Sequence, residues 1–251
     1  MTTSAQASAD LLAAAACELE TLFDSLTELA AAVAAAVETA SIAKRQPTRR
    51  DVISVRPLVK RQLRRHDALV AGAGVLMRPG VLGDVPMFVE WWCAGIPEPF
   101  LLRVSLDPEH AIFSDYDTFE WFAEPWSAGS RRIVGPWVDY TGTGQHVLTL
   151  SVPVFGREQD FLGVAGADVL AERLEELAIR SLREIPNDAA LVNADGRVIA
   201  SNTSRLLVGS LLAEEDARWA VGAERGWTVR EDGLAAGRAP QLPWAVVVFQ
   251  R

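Results

Sequence analysis

The hydrophobic period of this sequence changes near residue 67, and that change constrains the fold more than any single motif. From Ser8 to about Ala43 the chain is rich in Ala, Leu and Glu, the composition of a long helix. From Ala68 onward, short apolar runs are separated by turns that contain Gly, Pro and Asp, which is typical of β-strands. A long N-terminal helix followed by many short strands predicts an α+β protein with antiparallel sheets.

The predicted helix carries an a/d-like apolar seam. Apolar residues recur with heptad spacing at Leu12, Ala16, Leu19, Phe23, Leu26, Ala30, Val33 and Val37. Such a seam packs either against the helix's own domain or against a second helix. Both interpretations stay open, and the second predicts a homodimer through the N-terminal helix.

A basic stretch lies between Lys44 and His66, with Asp51 as its single acid. Pro47 and Pro57 divide it, and Val and Leu residues give it an apolar face. This pattern favours a solvated amphipathic helix over a DNA-reading arm. The formal net charge of −9 also argues against nucleic acid as a partner, because phosphate binding needs a positive surface.

Targeting, metal and catalytic signatures are weak. Cys17 and Cys93 lie far apart with no Cys or His at ligand spacing, so neither a disulfide framework nor a zinc site is expected. No signal-peptide pattern is present, and no stretch approaches the roughly 20 apolar residues that cross a bilayer. The paired glycines of Ala71–Gly74 lack the third Gly of a dinucleotide loop and are expected to allow tight packing. We therefore expect a cytoplasmic, non-enzymatic protein without a cofactor or metal and away from the membrane.

The strand pattern divides the chain into two modules. The predicted limits are 1–66 for an N-terminal helical region, 67–169 for the first module, 170–186 for a connecting helix and 187–251 for a smaller second module. In the first module, hairpins are predicted at Met87–Cys93 with Pro99–Leu106 and at Val147–Phe155 with Asp160–Asp168, flanking an irregular segment, Ser114–Gly142. In the second, strands at Ala189–Val192, Arg197–Ser201, Trp227–Arg230 and Trp244–Gln250 accompany a helix at Ala213–Glu224.

The first module alternates aromatic side chains with carboxylates. Carboxylates are costly to bury without a partner, and a cationic ligand would neutralise Asp139 and Asp168. Its alkyl groups would lie on aromatic faces, where each cation–π contact contributes roughly 0.5–2 kcal/mol. Plain core packing of the aromatic residues is the alternative. The candidate ligand-binding residues are Asp139, Asp168, Trp137, Trp121, Phe122, Trp91, Trp92, Tyr116, Asp117 and Glu90.

Three strings in this module resemble the signature region of double Cache sensor domains. They are Gly135-Pro-Trp-Val-Asp-Tyr140, His146-Val-Leu-Thr-Leu-Ser-Val-Pro-Val154 and Phe161-Leu-Gly-Val-Ala-Gly-Ala-Asp168. The order of helices and hairpins fits the same family over nearly the whole chain. The resemblance implies two PAS-like (Cache) modules, with the ligand pocket in the first.

The resemblance also implies how a ligand is held. Family members that bind amino acids hold the ammonium group with an aromatic-x-Asp element and with the Asp of a Gly-Ala-Asp string, which match Trp137-Val-Asp139 and Asp168. They hold the carboxylate with an Arg two residues before a Trp-Tyr pair. Here Phe119 stands at the Arg position and Trp121-Phe122 at the pair. The ammonium half of the site is therefore expected to be kept and the carboxylate half lost, which implies an amine.

The expected function is a non-enzymatic cytoplasmic sensor of a polyamine, a biogenic amine or a quaternary ammonium compound. It would signal to a separate partner, most simply a transcription regulator. Two alternatives stay open. Arg131 or Arg132 can serve a ligand carboxylate, which predicts an amino-acid or organic-acid sensor. The fold can also act as an adaptor without a ligand, its aromatic residues forming a core.

Overall fold

The computed structural model describes residues 3–95, 97–107, 109, 115–140, 144–223, 226–238 and 242–249. Over these residues the helices are α1 (Thr3–Ile42), α2 (Arg49–Ile53), α3 (Arg56–Arg65), a 3-10 turn (Tyr116–Thr118), α4 (Glu120–Ala128), α5 (Ala171–Arg183) and α6 (Glu214–Gly222). The strands are β1 (Val70–Met77), β2 (Phe88–Cys93), β3 (Phe100–Leu101), β4 (Arg132–Val138), β5 (His146–Phe155), β6 (Phe161–Leu170), β7 (Asp188–Val192), β8 (Val198–Ser201), β9 (Gly226–Val229), β10 (Ala235–Arg238) and β11 (Ala245–Phe249). The α+β class predicted from the sequence is confirmed.

The heptad seam of α1 is buried within the chain. Every seam position from Leu12 to Val37 is at most 8% exposed. A seam covered by its own chain has no apolar surface left for a second helix. The alternative in which these residues pair two chains is therefore wrong for this surface, and the helix packs on its own domain.

Helix α1 is also long and apolar enough to cross a membrane, judged by length and composition alone. Within the segment Ala5–Ile42, an 18-residue window has a mean hydropathy of 1.3. Of that window, 39% is buried inside the protein. The expectation that no stretch approaches a membrane span is therefore wrong on these two measures. Core helices and N-terminal signal sequences satisfy the same criterion, so the criterion does not identify a membrane helix.

The chain divides into two compact units. The larger unit comprises Leu22–Val134 and Val138–Leu170, and the smaller comprises Met1–Thr21, Gly135–Trp137 and Ala171–Arg251. Both units take in part of α1, so this division does not decide the module limits predicted from the sequence.

The larger unit contains an antiparallel sheet in the order β3-β2-β1-β6-β5-β4. The predicted β5–β6 hairpin is present, while the strand expected at Pro99–Leu106 is confined to Phe100–Leu101. The segment Ser114–Gly142, expected to be irregular, contains the 3-10 turn, α4 and β4 among its described residues. Helix α4 begins after Phe119 and ends at Gly129, whose φ of 61° is the left-handed conformation that glycine adopts readily.

Strand register assigns each side chain of this sheet to one of two faces. Asp168 of β6 pairs with Gly72 of β1 and with Thr149 of β5, and Gly72 pairs with Cys93 of β2. Directly paired residues of antiparallel strands share a face, so these four residues lie together on what we call the Asp168 face. Glu90 of β2 alternates with Cys93 and lies on the opposite side, which we call the Glu90 face.

The smaller unit contains an antiparallel sheet in the order β8-β7-β11-β10-β9. Its core is built from small and branched residues of four strands and α6, including Ala190, Val198, Ala220, Ala236 and Val247. Strand β10 was not expected from the sequence. Its Gly237 allows close packing, because a β-carbon there would meet Ser8 of α1 at 3.2 Å and the ring of Trp227 at 3.3 Å.

Gly163 maintains the register of β6, and we predict that Gly163→Ala destabilises the protein by about 2–4 kcal/mol. Its φ is 148°, and a β-carbon there would collide with the carbonyl oxygen of Leu76. Urea unfolding measures the change. The matched control is Gly80→Ala, with a φ of 81° but open space around the position. Gly80→Ala introduces backbone strain without a steric clash, so an equal loss of stability in the two variants would contradict the steric argument.

Candidate functional site

Asp168 is a buried carboxylate at the centre of the Asp168 face. It is 7% exposed, and Thr149 Oγ1 donates a hydrogen bond of 2.6 Å to its Oδ1. Within the described part of the chain no lysine or arginine pairs with it. The pKa of Asp168 is raised to about 7, chiefly by burial; the Thr149 hydrogen bond opposes this shift and the nearby charge of Asp139 adds to it.

Asp139 brings a second carboxylate into the neighbourhood of Asp168. It follows the end of β4 and is buried. Its backbone is held by two hydrogen bonds, from its own N–H to the Gln145 carbonyl at 2.9 Å and from the Gly144 N–H to its carbonyl at 2.8 Å. Its charge acts on both Asp168 and Cys93. The structure therefore brings together the two aspartates singled out in the sequence.

Cys93 lies in the same row of the sheet. Its thiol is buried, and burial together with the charges of Asp168 and Asp139 raises its pKa to about 11. A thiol with so high a pKa is a poor nucleophile at neutral pH. Cys93 is thus an apolar wall of the Asp168 face, with no catalytic character.

Trp91 covers the middle of this face and lies on a floor of glycines. A β-carbon at Gly72 would be 2.6 Å from Trp91 Nε1, and one at Gly166 would be 3.3 Å from Trp91 Cζ3. The indole therefore occupies space that any larger residue at either position would fill. This packing is the reason for Gly72, whereas a β-carbon at Gly74 would collide with the carbonyl oxygen of Glu90.

Tyr116 and Phe122 lie toward the other end of the same face. The Tyr116 hydroxyl donates to the Met77 carbonyl at 2.6 Å and accepts from the Phe88 N–H at 3.2 Å. Both rings belong to a buried hydrophobic cluster, with their centroids 5.3 Å apart. Met77 is five positions from Gly72, or about 16 Å along the strand. Tyr116 and Phe122 are core residues of the cluster that also contains Trp91 and Cys93, and their role as ligand contacts stays a prediction.

Glu90 and Trp92 were expected to join Trp91 in the site, but they lie on the Glu90 face. Arg56 pairs with Glu90 through two hydrogen bonds of 2.5 and 3.1 Å, and Trp92 Nε1 donates to Glu90 at 2.7 Å. Lys60 Nζ lies 4.0 Å from the centroid of the Trp92 ring. Neighbouring residues of a strand point to opposite sides, so Trp91 and Trp92 cannot serve one pocket. Their grouping with the site is corrected on this ground.

The remaining predicted contacts are dispersed. Trp121 is half-buried and stacks on Phe119, with centroids 5.6 Å apart. Asp117 lies in the 3-10 turn, and burial and the neighbouring Asp115 raise its pKa. Trp137 belongs to the smaller unit, and its role as a wall of the site stays a prediction.

The two arginines considered for a ligand carboxylate make other contacts. The Arg131 guanidinium lies 4.3 Å from the centroid of the Phe23 ring on α1. Arg132 pairs with Glu124 of α4 at 3.2 Å and donates to Ser130 at 2.8 Å. Neither contact involves Asp168.

The fold is similar to solved sensory domains. The ligand-binding domain of the Campylobacter jejuni chemoreceptor Tlp3, in complex with L-norvaline, is 15% identical, with a TM-score of 0.58 over 95% of this chain and 87% of that one. The extracellular domain of a protein described as a histidine kinase, mmHK1S-Z2, is 17% identical, with a TM-score of 0.63 over 95% of this chain and 94% of that one. The chain has the double Cache fold. No family model matches the sequence, and none of the curated proteins matches it.

Sequence reasoning missed three residues that the double Cache fold places beside Asp168. Thr149 and Ser151 alternate along β5 on the Asp168 face, and Cys93 ends β2 on the same face. The sequence does indicate Thr149 and Ser151 as unusual, because both are hydroxyl residues at inward positions of a predicted apolar strand. Their alignment with Asp168 depends on the register shift between Val154 and Phe155, which alternation does not reveal.

We predict that Asp168→Asn stabilises the ligand-free protein, and more so as pH rises from 5 to 7. The folded pKa of about 7 lies above the unfolded value of about 4, so the folded state holds the extra proton between these pH values. Wild-type stability then falls by up to about 1.4 kcal/mol per pH unit in this window, and the amide removes that loss. Urea unfolding at pH 5, 6 and 7 measures the gap between the two proteins.

Asp51→Asn is the control for this pH series. Hydrogen bonds from Arg45 lower the pKa of Asp51, so its carboxylate is ionised in both states throughout the window. The difference in unfolding free energy between Asp51→Asn and wild type should not change from pH 5 to 7. A constant gap for Asp168→Asn as well would show that Asp168 is already ionised in the folded protein.

The ion pair on the Glu90 face generates a separate prediction. Arg56→Ala leaves the buried Glu90 without its cation and should cost roughly 2–4 kcal/mol in unfolding free energy. Arg61→Ala removes an exposed pair with Glu28 and should change stability by less than about 1 kcal/mol. Chemical unfolding of both variants measures the two losses of stability. Equal losses would show that the buried Arg56–Glu90 pair stabilises the fold no more than an exposed pair does.

Proposed function

We propose that the larger unit is a non-enzymatic sensor of a small molecule that carries an ammonium group. The observation that carries this proposal is the buried Asp168, which has Asp139 beside it and no cationic partner among the described residues. Two carboxylates in one buried place repel each other and lose hydration. An ammonium group would supply the positive charge that Asp168 lacks among the described residues, together with further hydrogen-bond donors.

Amino acids are the ligand class with the most support. The Tlp3 domains to which this chain is similar were solved with L-norvaline and L-valine. The resemblance in the sequence matches Asp139 and Asp168 to the residues that hold an amino acid's ammonium group. An amino acid would also need a partner for its carboxylate.

A simple amine is the second candidate, and the contacts of two arginines favour it. Arg131 lies on Phe23 and Arg132 pairs with Glu124, while Phe119 stands where the amino-acid binders have an Arg. A ligand without a carboxylate requires none of these positions to change.

The signalling context is also a proposal. The similar structures include domains of a chemoreceptor and of proteins described as histidine kinases, so we propose that ligand occupancy is passed to a signalling partner. A transcription regulator in the cytoplasm is the partner and location that the sequence favours. Cell fractionation tests the location, and pull-down with and without ligand tests the partner.

A thermal-melt screen against amino acids, amines, quaternary ammonium compounds and organic acids tests the ligand class. A ligand at 100 times its Kd adds about 2.7 kcal/mol to stability, which raises Tm by about 5–10 °C in a domain of this size. A rise with amino acids supports the first candidate, and a rise with amines alone supports the second. A flat result across the panel would favour the adaptor interpretation.

Paired variants locate the ligand. Asp168→Asn and Asp139→Asn should each abolish the Tm rise, because each removes a charge that the ammonium group pairs with. Asp117→Asn is the matched control, since it makes the same change in the 3-10 turn away from Asp168, and it should keep the full rise. Loss of binding in Asp117→Asn with retention in Asp168→Asn would place the ligand elsewhere.

A further inference from the structure

We propose that Ser151 is a second polar contact of the ligand and selects ligands that carry a hydrogen-bonding group several bonds from the ammonium. This inference rests on the proposed function and concerns the same site. It begins from a buried hydroxyl that the fold itself leaves unused.

Ser151 lies on the Asp168 face, two positions from Thr149 on β5. It is 0% exposed, and its Oγ has no hydrogen-bond partner among the residues that the structure describes. A buried hydroxyl without a partner costs about 1–3 kcal/mol. Such a group is uncommon in a well-packed strand and requires an explanation.

The neighbours of Ser151 on the β6 side of β5 offer its hydroxyl no hydrogen-bonding side chain. The directly paired residue on β6 is Gly166, and the next residue in that row is Gly74 of β1, so neither offers a side chain. The hydroxyl of Thr149 is already donated to Asp168. On the β6 side of β5, therefore, no side chain of the sheet supplies a partner, and a ligand above the sheet can do so.

Above this row lies the ring of Trp91. Its Cζ3 and Cη2 atoms would be 3.3 and 3.4 Å from a β-carbon on Gly166. The edge of the six-membered ring thus lies over the residue that pairs with Ser151. A ligand that extends from Asp168 along β5 would take the place of this edge, and the Ser151 hydroxyl would bond to the ligand.

The geometry sets the length of such a ligand. Thr149 and Ser151 are separated by about 7 Å along the strand, so the two polar ends of the ligand must span about the same distance. An extended chain of four carbons between an ammonium nitrogen and a second nitrogen or oxygen spans about 6 Å. The α-carboxylate of an amino acid, two bonds from its nitrogen, does not reach. The class is therefore an amino alcohol, a diamine or an amino acid with a polar end to its side chain.

Titration calorimetry with two matched probes tests the inference on the full chain. Butylamine and 4-amino-1-butanol share the ammonium group and the four-carbon chain, and only the second has a terminal hydroxyl. Wild type should bind 4-amino-1-butanol about 5–20-fold more tightly than butylamine, because the hydrogen bond also satisfies the Ser151 hydroxyl, which is already desolvated in the free protein, and this outweighs the dehydration of the ligand hydroxyl. In Ser151→Ala the preference should fall to within about 2-fold.

Controls separate this inference from the proposed function. Ser151→Ala removes an unpartnered group, so its Tm should equal or exceed that of wild type. Ser54→Ala, which removes an exposed hydroxyl bonded to Asp51, should keep the preference for the amino alcohol. An equal preference in wild type and Ser151→Ala would overturn the role of Ser151.

The remaining outcomes distinguish the two claims. If both probes bind equally and both lose binding in Asp168→Asn, the ammonium site stands and the Ser151 inference fails. If a screened amino acid or amine binds in an Asp168-dependent way but neither probe does, the Ser151 inference again fails alone. If the probes bind as strongly to Asp168→Asn as to wild type, both the proposed function and the Ser151 inference fail.

Discussion

Strand β6 lies between β1 and β5, and the backbone pairing of these three strands is the constraint on which the site depends. A shift of one residue in this pairing would move every side chain of β6 to the other side of the sheet. The register shift near Phe155 and the left-handed backbone of Gly163 therefore determine, from several residues away, that Asp168 meets Thr149. The position of the carboxylate is a property of the main chain.

The two faces of this sheet treat a buried carboxylate in opposite ways. On one side Glu90 receives the charge of Arg56 and a donor from Trp92, and every part of the group is engaged. On the other side Asp168 receives one hydroxyl. A buried carboxylate that the fold pairs with a cation stabilises the fold, whereas one that it leaves without a cation is maintained at the expense of stability. That contrast separates the structural acid from the candidate binding acid.

The sequence predicted the α+β class, the long first helix and the β5–β6 hairpin, because period and turn chemistry are local. It did not predict the sorting of Trp91 from Trp92, since alternation alone does not say which side of a sheet carries the ligand. It missed β10, because Ala235 and Gly237 have weak strand preference and become a strand only through pairing with β9 and β11. Thr149 and Ser151 were missed because their relation to Asp168 is a matter of register.

Cys93 illustrates what the acidic surroundings do to a side chain that has no role in binding. With a pKa of about 11, roughly one thiol in ten thousand is ionised at pH 7. Oxidants and disulfide exchange act on the thiolate, so burial, with the two carboxylates adding to its effect, shields this sulfur from both. The chemistry of the Asp168 face is in this way independent of the redox state of its compartment, and a thiol reagent that labels the exposed Cys17 should leave it unmarked.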